Sequence, residues 1–137
     1  MVKKIDHIGI VVKDLEKSLS RYQELLGLKL METEELEVAG DMYRVAFLPS
    51  RDVNLELVFT TSKRGISAEF LRDHGEGIHH VAFEVEDLEK TFDELRAKGA
   101  KFIWGKIVPG SRGSKIAYLE PEEMNGVYIE LIQKRKI

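Results

Sequence analysis

Two histidines and two glutamates stand at matched positions of a sequence that repeats itself. The segment KIDHIGIVVKDLEK near the start returns as GIHHVAFEVEDLEK in the middle, which places His7 on His80. Later in each half, NLELV matches YIELI, so that Glu56 falls on Glu130. Imidazole nitrogen and carboxylate oxygen are common ligands of divalent transition metals. The repeat therefore predicts one metal site built from two half-sites, each supplying one nitrogen and one oxygen ligand.

These four residues recur together at matched positions of the two halves, which distinguishes them from ordinary polar residues. A single histidine at the start of a strand is more often structural than a ligand, and a single glutamate in a strand usually faces water. Independent surface residues, however, have no reason to recur at matched positions. We interpret His74, in a polar stretch, and His79, which alternates onto an apolar face, as structural.

Strand alternation puts the four predicted ligands on comparable faces. Side chains in a strand point alternately to its two faces. Each predicted ligand lies on the less apolar face of its segment, and the opposite face is rich in Ile, Val, Leu and Phe. Gly9 and Ala82 each follow a histidine by two residues and leave room beside it. We expect the helices to pack on the apolar face and the ligands to line a cleft.

The elements that must position these residues follow the same order in both halves. A strand at 5–12 leads to Asp14, a good helix N-cap, and the apolar helical spacing that follows ends at Gly27. The second half repeats this with Asp87 and a stop near Gly99. Three strands are predicted after each helix, at 29–34, 43–48 and 55–60 in the first half and at 101–104, 115–119 and 127–133 in the second. The prediction is an α+β fold of two tandem βαβββ modules that form a curved mixed sheet around a metal-binding cleft, with the helices outside.

The chain length fits a single domain. We expect a first module at about 1–66, a linker at about 67–76 with a short helix at 67–74, and a second module at about 77–137. Equivalent loops are expected at 35–41 and 108–114, where they could close over a ligand.

Composition narrows the kind of partner. The chain has 137 residues, no cysteine and a net charge of −3. Without cysteine, any metal must be held by imidazole and carboxylate. The negative charge argues against nucleic acid, and neither a signal region nor a membrane-spanning stretch is apparent. We expect a cytoplasmic protein that acts on a small molecule.

The motifs DHIGIVVKDLEKSLSRYQELLGL, GEGIHHVAFEVEDLE and PGSRGSKIAYLEPEEMNGVYIEL resemble the vicinal oxygen chelate superfamily, which includes glyoxalase I and extradiol dioxygenases. Their order and spacing are most similar to the methylmalonyl-CoA epimerase family. The resemblance implies a homodimer and the metal ligands His7, Glu56, His80 and Glu130. Two histidines and two glutamates suit several divalent metals, of which we put cobalt first, with manganese, nickel or zinc as alternatives. It also implies interconversion of (2R)- and (2S)-methylmalonyl-CoA by removal of the C2 proton, through an enolate that a divalent ion would stabilise.

Epimerisation requires proton donors and acceptors on opposite faces of the planar intermediate. Glu130 and an acid of the 35–41 segment are the candidates. Epimerases of this family usually carry Glu-Gln-Gly there, whereas this chain departs from that pattern, so we assign the role to Glu37, with Glu35 and Asp41 as rivals. Phosphates of the CoA tail would be bound by cationic and backbone donors, for which we name Arg112, Lys115 and glycines 110 and 113.

Two other functions fit the same sequence. A glyoxalase I-type lactoylglutathione lyase would use the same four ligands to move a proton between adjacent carbons. A non-catalytic binding module of the bleomycin-resistance kind would need no metal, although four polar groups in its interior would then bring no benefit. An iron-dependent dioxygenase fits less well, because such sites use two histidines and one carboxylate.

Overall fold

The computed structural model describes residues 1–136, which divide into two compact units. The first unit is continuous and comprises residues 7–79. The second unit combines residues 1–6 with the chain from residue 80 onward. The first strand therefore contributes its opening residues to the second unit and its remainder to the first.

The elements alternate in the predicted order. The strands are β1 (Val2–Val11), β2 (Glu32–Val38), β3 (Asp41–Leu48), β4 (Asn54–Thr60), β5 (Gly77–Val85), β6 (Val108–Pro109), β7 (Lys115–Leu119) and β8 (Tyr128–Gln133). The α-helices are α1 (Leu15–Leu26), α2 (Ile66–His74) and α3 (Leu88–Ala97), and short 3₁₀ turns occur at Ser111–Gly113 and Pro121–Met124. None of the helices in the described part of the chain is long and apolar enough to cross a membrane.

In the first unit the strands lie in the order β2-β3-β4-β1. β1 and β4 are parallel, and the other pairs are antiparallel. Helix α1 packs on one face through Leu15 and Leu19, against a cluster that includes the fully buried Leu48 and Leu57. The opposite face bears a second apolar cluster, on which Phe70 of α2 packs.

In the second unit the strands lie in the order β1-β5-β8-β7-β6, and β1 contributes only its opening residues. β5 and β8 are parallel, whereas β7 is antiparallel to both β8 and β6. Helix α3 covers one face with Leu88 and Phe92, which pack with Phe102 and Leu131 in the main core. The α+β class, the mixed sheet and the two βαβββ repeats are thus confirmed.

The helix starts are identical in kind in the two halves. The carboxylate of Asp14 accepts a hydrogen bond from the backbone N–H of Lys17 at 3.0 Å, and that of Asp87 accepts one from Lys90 at 3.1 Å. Helix α1 ends at Gly27, whose φ of 68° lies in the left-handed region that favours glycine. The predicted bounds of α1 and the predicted short helix before the second half are confirmed.

Two strand predictions and one loop prediction are wrong. The strand expected at 29–34 is displaced to Glu32–Val38, and a tight turn at Ala39-Gly40 replaces the loop expected at 35–41. Ala39 and Gly40 both adopt positive φ, which lets β2 and β3 pair almost to their ends. Alternation of Glu with apolar residues along β2 is typical of an edge strand with one solvent-exposed face.

The strand expected at 101–104 forms only an isolated bridge, between Phe102 and Leu119. A turn closes directly after it, because the N–H of Gly105 donates to the carbonyl of Phe102 and Gly105 has a φ of 68°. The edge strand β6 forms instead at Val108–Pro109, inside the segment expected to be a loop.

Candidate metal centre and substrate site

The first half-site consists of His7 on β1 and Glu56 on β4. His7 Nδ1 lies 3.1 Å from Glu56 Oε2, and the residues are 1% and 5% exposed. The parallel register puts Gly9 directly opposite Glu56. Because glycine has no side chain, the carboxylate can turn along the strand towards the imidazole two residues away.

Apolar side chains of β3 and β4 surround the first half-site on its sheet face. Opposite residues of paired strands share a face, and Phe47 lies opposite Glu56 while Val45 lies opposite Val58. Phe70 and Leu71 of α2 pack on the same cluster. The first half-site therefore sits in a hydrophobic wall that a helix partly covers.

The second half-site consists of His80 on β5 and Glu130 on β8. His80 Nε2 lies 3.2 Å from Glu130 Oε1, and both residues are 5% exposed. Ala82 lies opposite Glu130, as Gly9 lies opposite Glu56. The same Glu130 oxygen accepts a hydrogen bond of 2.9 Å from the hydroxyl of Tyr118.

The second half-site is surrounded by aromatic and polar groups. The ring of Tyr118 meets the imidazole of His80 edge-on at 5.6 Å and the indole of Trp104 edge-on at 5.4 Å. Such edge-to-face contacts fix ring orientation. Tyr118 is therefore held on both sides, with its hydroxyl directed at Glu130.

The residues of both half-sites fit a divalent metal ion. A buried carboxylate is costly unless a cation or hydrogen-bond donor compensates it, and each glutamate lies beside an imidazole that can bind metal as well as donate a proton. Imidazole nitrogen with carboxylate oxygen suits cobalt, nickel, manganese and zinc. Each half-site thus offers one nitrogen and one oxygen donor, as predicted.

A cavity of about 220 Å³ opens in the second unit. Its lining is polar and cationic, and comprises Ser111, Arg112, Ser114, Ile132, Lys134 and Arg135. The hydroxyl of Ser114 is buried and has no hydrogen-bond partner among the described residues. Ser114 and Ile132 share their sheet face with Glu130, because Ile116 lies opposite Ile132 and Tyr118 lies opposite Glu130. The cavity is suited to an anionic group that accepts hydrogen bonds.

A buried ion pair borders this cavity. The carboxylate of Asp6, which is 1% exposed, lies 2.7 Å from Lys134 Nζ. Asp6 immediately precedes His7 in β1. The pair compensates the buried charge of Asp6 and fixes the lysine stem along the cavity wall.

The predicted substrate-binding residues lie in different places. Arg112 lines the cavity and has a positive φ of 51°, and Gly113 leaves room for the side chain of Arg135. Lys115 does not join them. Its ammonium lies 2.9 Å from Glu89 of α3, because alternation along β7 turns it to the helix-covered face.

The structure does not bring Glu37 to the face of Glu56. Glu37 is exposed, and its neighbours Leu36 and Val38 point the other way into the apolar cluster. It also pairs with Met42, five residues from Phe47, which is about 17 Å along the strand from the row of Glu56. Glu35 shares the outer face of Glu37 and lies 3.5 Å from Arg44.

The acids of β2 that do share the face of Glu56 are Glu32 and Glu34. Glu32 lies opposite Phe47, in the row of Glu56, and Glu34 lies opposite Val45, one row away. Glu34 is half-buried and Glu32 is exposed. Asp41, the other rival to Glu37, shares the face but lies six residues from Phe47, or about 20 Å.

The two remaining histidines are not part of either half-site. His79 is 3% exposed and meets the ring of Phe70 edge-on at 5.1 Å. Burial lowers its pKa to about 4. His74 is exposed at the last position of α2, with its ring 4.9 Å from that of Phe70.

Sequence reasoning missed Tyr118, Ser114 and Lys134. The first could have been found from the repeat, since VAFLP in the first half becomes IAYLEP in the second and replaces Phe47 by a tyrosine. Alternation from Tyr118 would also have put Ser114 on the Glu130 face. No sequence signal pairs Lys134 with Asp6.

Comparison with known proteins assigns the chain to a family. The sequence profile of the Glyoxalase/Bleomycin resistance protein/Dioxygenase superfamily matches residues 6–118. The chain belongs to this superfamily. It is 30% identical over 135 residues to the ethylmalonyl-CoA/methylmalonyl-CoA epimerase of Cereibacter sphaeroides, covering 97% of this chain and 99% of that protein.

A solved structure supports the same relationship. A variant of the Streptomyces coelicolor methylmalonyl-CoA epimerase in complex with 2-nitronate-propionyl-CoA matches with a TM-score of 0.92 at 30% identity, covering 99% of this chain and 100% of that one. The chain is also 32% identical over 128 residues to a probable lactoylglutathione lyase of Synechocystis, covering 93% and 92% of the two proteins. The predicted fold and the resemblance to methylmalonyl-CoA epimerase are thus confirmed.

Proposed function

We propose that this protein is a metal-dependent epimerase that interconverts (2R)- and (2S)-methylmalonyl-CoA by removing the C2 proton and returning one to the opposite face. The observation that carries the proposal is the pair of matched, buried His–Glu half-sites, at 3.1 and 3.2 Å. Similarity to epimerases over almost the whole chain supports methylmalonyl-CoA as the substrate.

His7, Glu56, His80 and Glu130 would hold one divalent ion between them, with cobalt the first choice. When bound, the ion would supply Lewis-acid stabilisation of the negative charge that forms on the substrate oxygens as the C2 proton leaves. The hydrophobic wall around His7 and Glu56 keeps water away, which strengthens every electrostatic interaction there.

Two carboxylates would handle the proton. Glu130 is buried, and its Oε1 is held by Tyr118 and His80, so that it has a fixed orientation from which to accept or return a proton. For the second acid we favour Glu34 over Glu37. Glu34 is half-buried on the Glu56 face, whereas Glu37 is exposed on the opposite face of β2.

The cationic cavity would bind an anionic part of the acyl-CoA. Arg112 offers a fork of donors, the hydroxyl of Ser114 can donate to an anionic oxygen, and Gly113 leaves room for Arg135, which also lines the cavity. Lys115 would contribute little, because Glu89 already neutralises it on the other face of the sheet.

The test is isotope exchange in deuterated water. The protein is stripped of metal, reloaded with cobalt and incubated with (2R)- or (2S)-methylmalonyl-CoA while inversion and deuterium entry at C2 are followed. We expect cobalt-dependent inversion with label at C2, and none in the stripped protein. Absence of C2 exchange in a folded, cobalt-loaded sample would reject the proposal.

A glyoxalase I-type lyase is the second candidate, because of the similarity to the Synechocystis protein. The methylglyoxal–glutathione adduct is therefore assayed in parallel under the same conditions. Turnover of the adduct without exchange at C2 of methylmalonyl-CoA would move the assignment to the lyase. Inactivity towards both substrates would favour a binding module.

The second acid is identified by comparing two substitutions on one strand. Glu34→Gln and Glu37→Gln make the same chemical change on opposite faces of β2. We expect a loss of about 100-fold in C2 exchange for Glu34→Gln and a far smaller change for Glu37→Gln. A larger loss for Glu37→Gln would restore the assignment made from the sequence.

The family resemblance further leads us to propose a homodimer. Sedimentation equilibrium would give a mass of twice 15.7 kDa if this is right. A concentration-independent single-chain mass would contradict it.

A further inference from the structure

The two halves of the chain differ at one matched position that touches a predicted ligand. In the first half Phe47 lies opposite Glu56, and in the second half Tyr118 lies opposite Glu130. Both aromatic residues are buried, at 2% and 6% exposure, and both belong to the strand that pairs with the ligand strand. The repeat therefore places a phenyl ring beside one glutamate and a phenol beside the other.

The extra hydroxyl of Tyr118 contacts the carboxylate of Glu130. It donates to Oε1 of Glu130 at 2.9 Å, and this is the oxygen that lies 3.2 Å from His80 Nε2. The ring of Tyr118 already packs edge-on against His80 and Trp104, contacts that a phenylalanine would also make. What tyrosine adds over phenylalanine is thus a hydrogen bond to the carboxylate.

The geometry points to Tyr118 as a positioning residue for Glu130, an inference that rests on the proposed function. A carboxylate that both binds a metal and exchanges a proton must keep its orientation in both tasks. The phenol gives Glu130 Oε1 a neutral, fixed donor that does not depend on any metal ion. Glu130 therefore keeps one oxygen anchored, which fixes the orientation of the carboxylate for proton transfer.

This role makes the half-sites unequal. The phenylalanine at the matched position of the first half supplies no hydroxyl to Glu56. The second half-site is then the one in which the carboxylate does chemistry, and the first is the one in which it serves as a ligand. Duplication supplied the two glutamates, and the Phe-to-Tyr difference assigns them different tasks.

Tyr118→Phe tests the inference, because it removes one oxygen atom and keeps the ring. Tyr43→Phe is the matched control: Tyr43 is also a buried tyrosine, it lies on β3, which pairs with β4 as β7 pairs with β8, and its hydroxyl forms a hydrogen bond with Ser67 rather than with a predicted ligand. Thermal unfolding of both variants checks that they fold. The cobalt-loaded proteins are then compared by visible absorption, cobalt titration and steady-state kinetics.

For Tyr118→Phe we expect kcat to fall about tenfold with KM within about twofold of wild type, since a hydrogen bond to a charged group is lost but substrate contacts remain. The visible spectrum of bound cobalt should also change. Tyr43→Phe should alter neither. A purely structural hydroxyl would lower the melting temperature and leave kcat and the cobalt spectrum unchanged, and that result would overturn the inference.

The wild-type sample separates the two ways of failing. If wild-type protein binds no cobalt or shows no exchange at C2, the proposed function is rejected, and the inference falls with it. If wild type is active and Tyr118→Phe matches it in kcat and spectrum, only the role of Tyr118 is rejected. The cobalt spectrum reports on Glu130 whichever substrate the enzyme takes.

Discussion

The His7–Glu56 and His80–Glu130 half-sites each pair a histidine with a glutamate. The sheet faces that carry them differ in polarity. The first half-site is set among Phe47, Val45 and Val58, with α2 packed on the same face. The second is bordered by Tyr118 and a cationic cavity. The difference teaches that a duplicated unit can keep its His–Glu pairs while the sheet faces around them diverge, one largely apolar and the other with a phenol and cationic groups.

The largest effect should come from changing the two glutamates one at a time. Glu130→Gln is expected to lower C2 exchange about 1,000-fold, because it removes a proton acceptor as well as a charged ligand. Glu56→Gln keeps an amide oxygen that can still bind metal and should cost only about tenfold. Exchange rates are measured at saturating cobalt, with the metal content of each variant determined as a control. Equal losses would mean that the half-sites are not specialised.

The internal repeat predicts the two His–Glu pairs but not the second acid. All four predicted ligands pair off within their halves because strand alternation and the matched spacing constrain a strand face strongly. The same reasoning does not fix the face of Glu37, whose catalytic role stays a prediction. The sequence predicts a loop at 35–41, which contains Glu37. Only the register of β2 with β3 shows that Glu37 points outward while Glu34 points to the Glu56 face.

The weakest part of the sequence prediction was the segment after α3. Lys101 to Trp104 has the composition of a strand, but a turn at Gly105 ends it after a single bridge. Pairing of this kind depends on tertiary context, which propensity does not contain. The Asp6–Lys134 pair is similar, since it joins residues far apart in sequence.

A second comparison concerns the residues that precede the two histidines. Asp6 and His79 are equivalent in the repeat and both buried, but Asp6 is an ion-paired carboxylate whereas burial lowers the pKa of His79 from 6.5 to about 4. Between these pH values the unfolded chain takes up a proton that the folded protein excludes. Stability should therefore be unaffected above pH 6.5 and fall by about 3 kcal/mol as the pH drops to 4.

Urea unfolding between pH 7 and pH 4 measures this effect. His79→Phe keeps an aromatic ring against Phe70 and cannot titrate. Between pH 7 and pH 4, the free energy of unfolding of this variant should therefore fall by about 3 kcal/mol less than that of the wild type. All other titrating groups are common to both proteins and cancel in the difference. Parallel pH profiles for the two proteins would contradict the low pKa of His79.

The polar cavity of the second unit can be compared with the surface beside it. Arg112→Gln should raise KM for methylmalonyl-CoA about tenfold, because a charged donor in the cavity is lost. Lys115→Gln should change KM by about twofold at most, since its ammonium is 51% exposed and pairs with Glu89. Steady-state kinetics at constant ionic strength gives both values. A larger effect at Lys115 would place the substrate on the other face of the sheet.

The helix N-caps are nearly identical in the two halves, and their removal should have the smallest effect on stability. Asp14 and Asp87 cap α1 and α3 with hydrogen bonds of 3.0 and 3.1 Å. Each substitution by alanine should lower the free energy of unfolding by about 1 kcal/mol, and asparagine at either position should restore most of it. Equal losses in urea unfolding would show that both helices keep the same N-cap interaction although the sheet faces have diverged. A cap that mattered in only one half would mean that divergence had reached the helix starts as well, and that tertiary packing alone fixes the other helix.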